Sequence, residues 1–144
     1  MILYYILANI LPICLPVDTE LRQTIAERYT VTGYGYTEFG RDSDVLLKIL
    51  VPFVPQDKCQ AKHRAIQFTQ GHMCYGGEGI IDSCKGDSGG PILNYATYKD
   101  KVKAVLFGVV AAGHADCGHG VTNFPGIYTN LTYYLDWVLN NMTS

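Results

Sequence analysis

Apolar positions in this chain come in short bursts separated by turn-forming residues. Tyr29 to Gly35 alternates and ends in Gly-Tyr-Gly, Leu46 to Val51 is a compact apolar run, and Val102 to Ala112 is a longer one bounded by lysine and glycine. Runs of this length and β-prone composition predict strands. Ile92-Leu93-Asn94-Tyr95, directly after Pro91, reads the same way, with no helical periodicity beginning there. Near the C-terminus the pattern changes. Leu131, Tyr134, Leu135 and Val138 fall at i, i+3, i+4 and i+7, which predicts a helix with one docking face and with Asn130 or Thr132 available as its cap. Pro55 to Arg64 fits either a short helix or a loop. No repeat, low-complexity tract or linker divides the chain, so the expectation is one all-β unit of about six antiparallel strands closing into a barrel, followed by the helix.

Composition narrows this only a little. A hydrophobic content of 48% with a formal net charge of −2 describes a folded globular domain and offers no basic surface for nucleic acid. Met1 to Leu11 is apolar and uncharged, yet it lacks the basic start and small-residue cleavage site of a signal peptide and is too short to span a bilayer. Neither nucleic acid nor membrane is therefore expected as a partner. The cysteines change the picture more. Five occur, at Cys14, Cys59, Cys74, Cys84 and Cys117, with no C-x-x-C pair that would suggest zinc or a redox centre, so the pattern points to an oxidising compartment. No metal and no cofactor is expected.

The densest chemistry lies in Asp82-Ser83-Cys84-Lys85-Gly86-Asp87-Ser88-Gly89-Gly90-Pro91. Gly86 to Gly90 satisfies the G-x-S-x-G pattern of an α/β-hydrolase nucleophile elbow, but that elbow needs a helix after the serine, where this sequence predicts a strand. A plain glycine-rich turn is the other reading. As a whole the segment resembles the nucleophile segment of trypsin-like, chymotrypsin-fold serine proteases. That resemblance implies Ser88 as nucleophile, with the N–H groups of Gly86 and Ser88 forming the oxyanion hole. It implies Asp82 at the base of a pocket for substrate Arg or Lys, Gly113 and Gly126 as the pocket's walls, and Asp87 as the acid that pairs with a freed α-amino group on zymogen activation. Pro125 resembles the proline of members that do not bind sodium.

The resemblance runs from about Ile10 to Trp137 or beyond and covers the second of the family's two barrels with its C-terminal helix; residues 1–9 stay unassigned and 10–144 are expected to form the protease portion. It implies disulfides Cys59–Cys74 and Cys84–Cys117, a short helix near Pro55, and an unpaired Cys14, in Pro12-Ile13-Cys14-Leu15-Pro16, that ties the domain to a partner segment. Tyr29 and Asn94 stand where a further family bridge would have its two cysteines. Val110-Ala111-Ala112-Gly113 departs from the usual V-S-W-G, and Gly33-Tyr34-Gly35 from G-W-G.

The family takes its general-base histidine and orienting aspartate from the first barrel, and neither motif occurs here. None of His63, His72, His114 and His119 stands in a base's motif, and each reads as a satisfied or solvated histidine. The expectation is an extracellular serine endopeptidase by family, insect clip-type relatives being the nearest, which as an isolated 144-residue chain is inactive for want of a base. Its expected partners are a peptide or protein substrate with Arg or Lys and a first barrel or light chain. The alternative is a non-catalytic homologue that binds or regulates within a proteolytic cascade, and an incomplete copy of a longer gene product is a third reading.

Overall fold

A computed structural model describes residues 12–23, 25–79, 82–113 and 123–142. The elements run in the order α1 (Thr19–Gln23), β1 (Arg28–Gly33), β2 (Leu47–Pro52), α2 (Gln56–Lys62), β3 (His72–Tyr75), β4 (Pro91–Tyr98), β5 (Lys101–Ala112), β6 (Gly126–Asn130) and α3 (Leu131–Met142). The strands form one six-stranded antiparallel sheet in the order β2-β1-β4-β5-β6-β3. The sheet curls until its outer strands meet. Phe53, just past β2, bridges Tyr75 of β3, while Gly76 N–H donates to Pro52 O at 2.8 Å and Val54 N–H to Cys74 O at 2.9 Å. Curling satisfies part of both edges, which open strands would leave unpaired.

The strands foreseen from the apolar runs are present, with shifted ends. β1 stops at Gly33, two residues early, because Gly35 N–H turns away to the Asp87 carboxylate at 2.8 Å. Pro91–Tyr98 is a strand, which removes the strand-turn-helix geometry a nucleophile elbow requires. Pro55 to Arg64 resolves to a helix, Gln56–Lys62, with Pro55 at its N-terminal boundary, where a missing N–H costs nothing. Two short strands, β3 and β6, carry no alternation that would announce them. β5 has two irregularities: Phe107 is extra opposite the Ile92–Leu93 step, and Ala111 is extra opposite the Tyr128–Ile127 step. Such bulges bend a strand and raise its twist, which a small barrel needs.

Tyr29, Val31, Val51, Tyr75, Ile92, Val105, Phe107, Val110 and Tyr128 fill the barrel. The register Thr30↔Leu93 and Val31↔Ile92, continued by one step, sets Tyr29 opposite Asn94, the two positions where cysteines would stand in the family pattern. Packing holds this region instead. The Tyr29 ring meets Tyr75 edge-on at 4.8 Å and Phe107 at 5.1 Å, and the Tyr29 and Tyr75 hydroxyls hydrogen-bond each other. Edge-to-face pairs of this kind contribute about 0.5–1.5 kcal/mol each beyond the area they bury.

α3 begins where the periodicity placed it, and Asn130 is its cap: the Asn130 side-chain oxygen accepts from Thr132 N–H at 3.1 Å and from the Thr132 hydroxyl at 2.6 Å. Leu131 and Leu135 are buried, as the pattern required, but Tyr134 of the same stripe is 40% exposed. Its ring lies over Gly71, where a Cβ would come within 2.7 Å of the hydroxyl. No helix among the described residues is long and apolar enough to cross a membrane.

Candidate active site

The segment from Asp82 to Gly90 leads into the start of β4 through two consecutive turns. Asp87 N–H donates to Cys84 O at 3.0 Å, and Gly90 N–H to Asp87 O at 2.8 Å. The third residue of each turn is a glycine with positive φ, Gly86 at 97° and Gly89 at 81°. A side chain at either position would be strained, which accounts for the glycine spacing around Ser88. Gly86 has a further reason: a Cβ there would meet the Gly35 Cα at 3.1 Å. Gly89 N–H and Gly90 O bond to Val110 O and N, both at 2.9 Å, so the second turn is pinned to β5. Between them the two turns leave Ser88 exposed and the N–H groups of Gly86 and Ser88 without an acceptor among the described residues.

Asp87 faces away from solvent. Its two carboxylate oxygens accept N–H bonds from Gly35 at 2.8 Å and Cys84 at 2.9 Å, so one side chain joins the loop after β1 to the nucleophile segment. Gly33 and Gly35 are glycines because of it: a Cβ at either would overlap the carboxylate. Beside Asp87 is a cavity of about 100 Å³ whose walls include Val31, Leu47, Ile49 and Asp82.

Asp82 is half-buried. Burial pushes its carboxyl up to about 6, against hydrogen bonds from the backbone of Ser83, Gly77 and Gly126 and from the Tyr128 hydroxyl, which favour the charged form. Ser83 N–H reaches Asp82 Oδ1 at 2.8 Å, and the buried Ser83 hydroxyl lies 3.2 Å from that of Tyr128. Desolvation by burial raises Tyr128 as well, helped by the Asp82 charge. Gly126 and Gly76 close in on the acid, with hypothetical Cβ atoms at 2.9 and 2.7 Å from Asp82 Oδ1. Gly113 is exposed at the end of β5, 3.7 Å by the same measure from Ser83 O. Gly76, Gly77 and Tyr128 were not singled out in the sequence; the adjacent glycines are the signal for the first two, which take positive φ, and Tyr128 has no local mark.

Of the cysteines, Cys59 and Cys74 form a disulfide with Cα atoms 6.3 Å apart, linking α2 to β3. Cys84 is also disulfide-bonded. Its expected partner Cys117 lies outside the described residues, as do His114 and His119. Cys14 is free and half-buried, its backbone bridging Val105. His63 Nε2 donates to Pro125 O at 2.7 Å, and His72 Nδ1 accepts from Thr69 N–H at 3.1 Å, so both described histidines serve structural bonds. Among the described residues no cluster of three or more His, Cys, Asp or Glu is arranged to hold a metal.

The family model described as Trypsin matches residues 6–138. The chain is 44% identical over 94% of its length to "Serine protease grass" of Drosophila melanogaster, covering 36% of that protein. It is 37% identical over 91% of its length to "CLIP domain-containing serine protease HP8" of Bombyx mori, again covering 36%. The crystal structure of the drosophila Grass clip serine protease of the Toll pathway superposes with a TM-score of 0.76 at 41% identity, covering 91% of this chain and 37% of that one. The chain thus spans about a third of the length of the curated relatives it matches. With six antiparallel strands curled as a chymotrypsin-like half, a C-terminal helix and this sequence match, the chain belongs to the trypsin-like serine protease family, alongside the insect clip-type members.

Proposed function

We propose that this chain is the nucleophile and specificity half of an extracellular serine endopeptidase that cleaves after Arg or Lys. The observation that carries the reading is the pair of N–H groups, of Gly86 and Ser88, that meet no acceptor among the described residues, beside the exposed Ser88 hydroxyl. Two donors turned out of the protein's own hydrogen bonding are what an oxyanion needs, and Ser88 supplies the attacking oxygen. The specificity half rests on Asp82. A desolvated carboxylate held by backbone N–H groups and matched by no cation among the described residues favours a guanidinium or ammonium that restores the lost solvation. Gly126 and Gly113, beside Asp82 and Ser83, leave room for a long basic stem.

Asp87 is the activation switch in this reading. The cavity beside it combines apolar walls with a carboxylate, and so suits the aliphatic first residue and free amine of a newly cut chain. The base and its orienting acid come from a first barrel, and Cys14 is available to bridge to a partner segment. Without a base the Ser88 proton has no acceptor, so the 144 residues as a separate polypeptide are inactive. A non-catalytic role within a proteolytic cascade is the second reading, favoured by exposed Ala111 and Ala112, which give an extended substrate little side-chain surface at the end of β5. One experiment separates the two. This chain joined to a first barrel carrying His and Asp cleaves an Arg-amide if it is the enzyme half; a correctly folded but inert product makes it the binder.

A further inference from the structure

We propose that a second site, an open cavity of about 220 Å³ beside α2, binds an acidic peptide segment of a partner protein through Lys58 and Lys62. Lys58 and Lys62 stand four residues apart on α2, so their side chains share one helix face and both line the cavity. Lys62 Nζ lies 5.8 Å from the centre of the Phe124 ring, a contact that holds the ammonium near this rim. Glu78, the one carboxylate of the described lining, is engaged by Arg28 at 3.2 Å, and no carboxylate among the described residues pairs with either lysine. A positive cavity in a chain of net charge −2 is a local concentration against the overall sign. Its floor is Pro52, Phe53, Val54 and Pro125. An apolar floor under two point-like cations suits carboxylates next to an apolar side chain, better than a bare inorganic anion or a long sulfated polysaccharide. The site is not the Asp82 pocket seen again. Gly76, Gly77 and Pro125 line it, but Asp82 does not, and its charge repels the basic side chain that Asp82 attracts.

The test uses the full chain and a fluorescein-labelled Glu-Phe-Glu-Leu-Glu peptide, read by fluorescence anisotropy, and so does not depend on any protease activity. Lys58→Glu with Lys62→Glu should weaken binding about tenfold or more, and Lys103→Glu on β5 should not. Replacing the peptide's Phe and Leu by Ser should weaken it too. Equal binding by the double variant overturns the site, and tight displacement by a heparin fragment with no effect of the Ser replacements overturns the peptide in favour of a polysaccharide. Should the double variant fail to fold, acetic anhydride labelling of the unmodified chain decides. The peptide should protect Lys58 and Lys62 but not Lys99 or Lys103, and uniform labelling overturns the proposal.

Discussion

Two regions of this molecule answer the same problem, holding chain segments distant in sequence in register, by opposite means. Around Tyr29, Tyr75 and Phe107 the work is done by side chains: three buried rings meet edge-on where the family pattern would put a disulfide. From Asp82 to Gly90 it is done by the backbone, through two turns, glycines at positive φ and one carboxylate accepting two N–H bonds. The first region is shaped by volume and tolerates polar change badly. The second is shaped by where glycine is allowed, and leaves its reactive side chain in solvent. Stability and chemistry should therefore separate on mutation.

The largest separation is expected at Ser88. In a complete protease built on this chain, Ser88→Ala should lower kcat/KM for an Arg-amide by at least about a thousandfold. The melting temperature should hardly move, because Ser88 is exposed. Phe107→Ala is the mirror image. It should cost about 3–5 kcal/mol in a urea titration, by removing a 5%-exposed ring and one of the two edge-on contacts of Tyr29. If Phe107→Ala left stability unchanged while reducing benzamidine binding, the division between the regions would fail.

Asp82 comes next, and adds pH. Asp82→Ala should weaken benzamidine, a guanidinium mimic, about a hundredfold or more in calorimetry. In the proposed pocket benzamidine pairs with the ionised carboxyl, which burial pushes up to about 6. Affinity should be flat above that value and fall about tenfold per pH unit below it, and binding near pH 6 should release a proton. The stability effect has the opposite sense. Because folding raises the Asp82 pKa, its contribution is greatest below the unfolded value near 3.8 and is lost as pH rises through about 6. The smallest effect belongs to the helix cap: Asn130→Ala should cost about 1 kcal/mol, by freeing Thr132 N–H, without altering benzamidine binding.

Much of both regions was legible in the residues, for different reasons. Strands β1, β2, β4 and β5 announce themselves as short apolar, β-prone runs between turn residues, and helix α3 by its spacing of apolar positions. β3 and β6 do not: four and five residues long, one begins at a histidine and the other at a glycine, and long-range pairing, of β6 with β5 and of β3 with β6, is what identifies them. α1 left one unread sign, Asp18, whose carboxylate accepts from Glu20 N–H at 2.8 Å as a cap does. The paired replacement at Tyr29 and Asn94 was readable as a lost bridge, but the rings that stand in for it come from β3 and β5 and share no local pattern. In the site, the glycines at 86 and 89 were visible, whereas Gly33 and Gly35 matter only because Asp87 folds back onto them.

The closure of the sheet determines how the molecule breathes. β2 and β3 meet only along Pro52 to Val54 and Cys74 to Gly76, while β4 and β5 pair over eight positions. Amide hydrogen exchange should therefore proceed first at this seam and last along β4 and β5. Because the Cys59–Cys74 disulfide fastens α2 to the same seam, a thiol reductant should hasten exchange there well before it reaches the middle of the sheet.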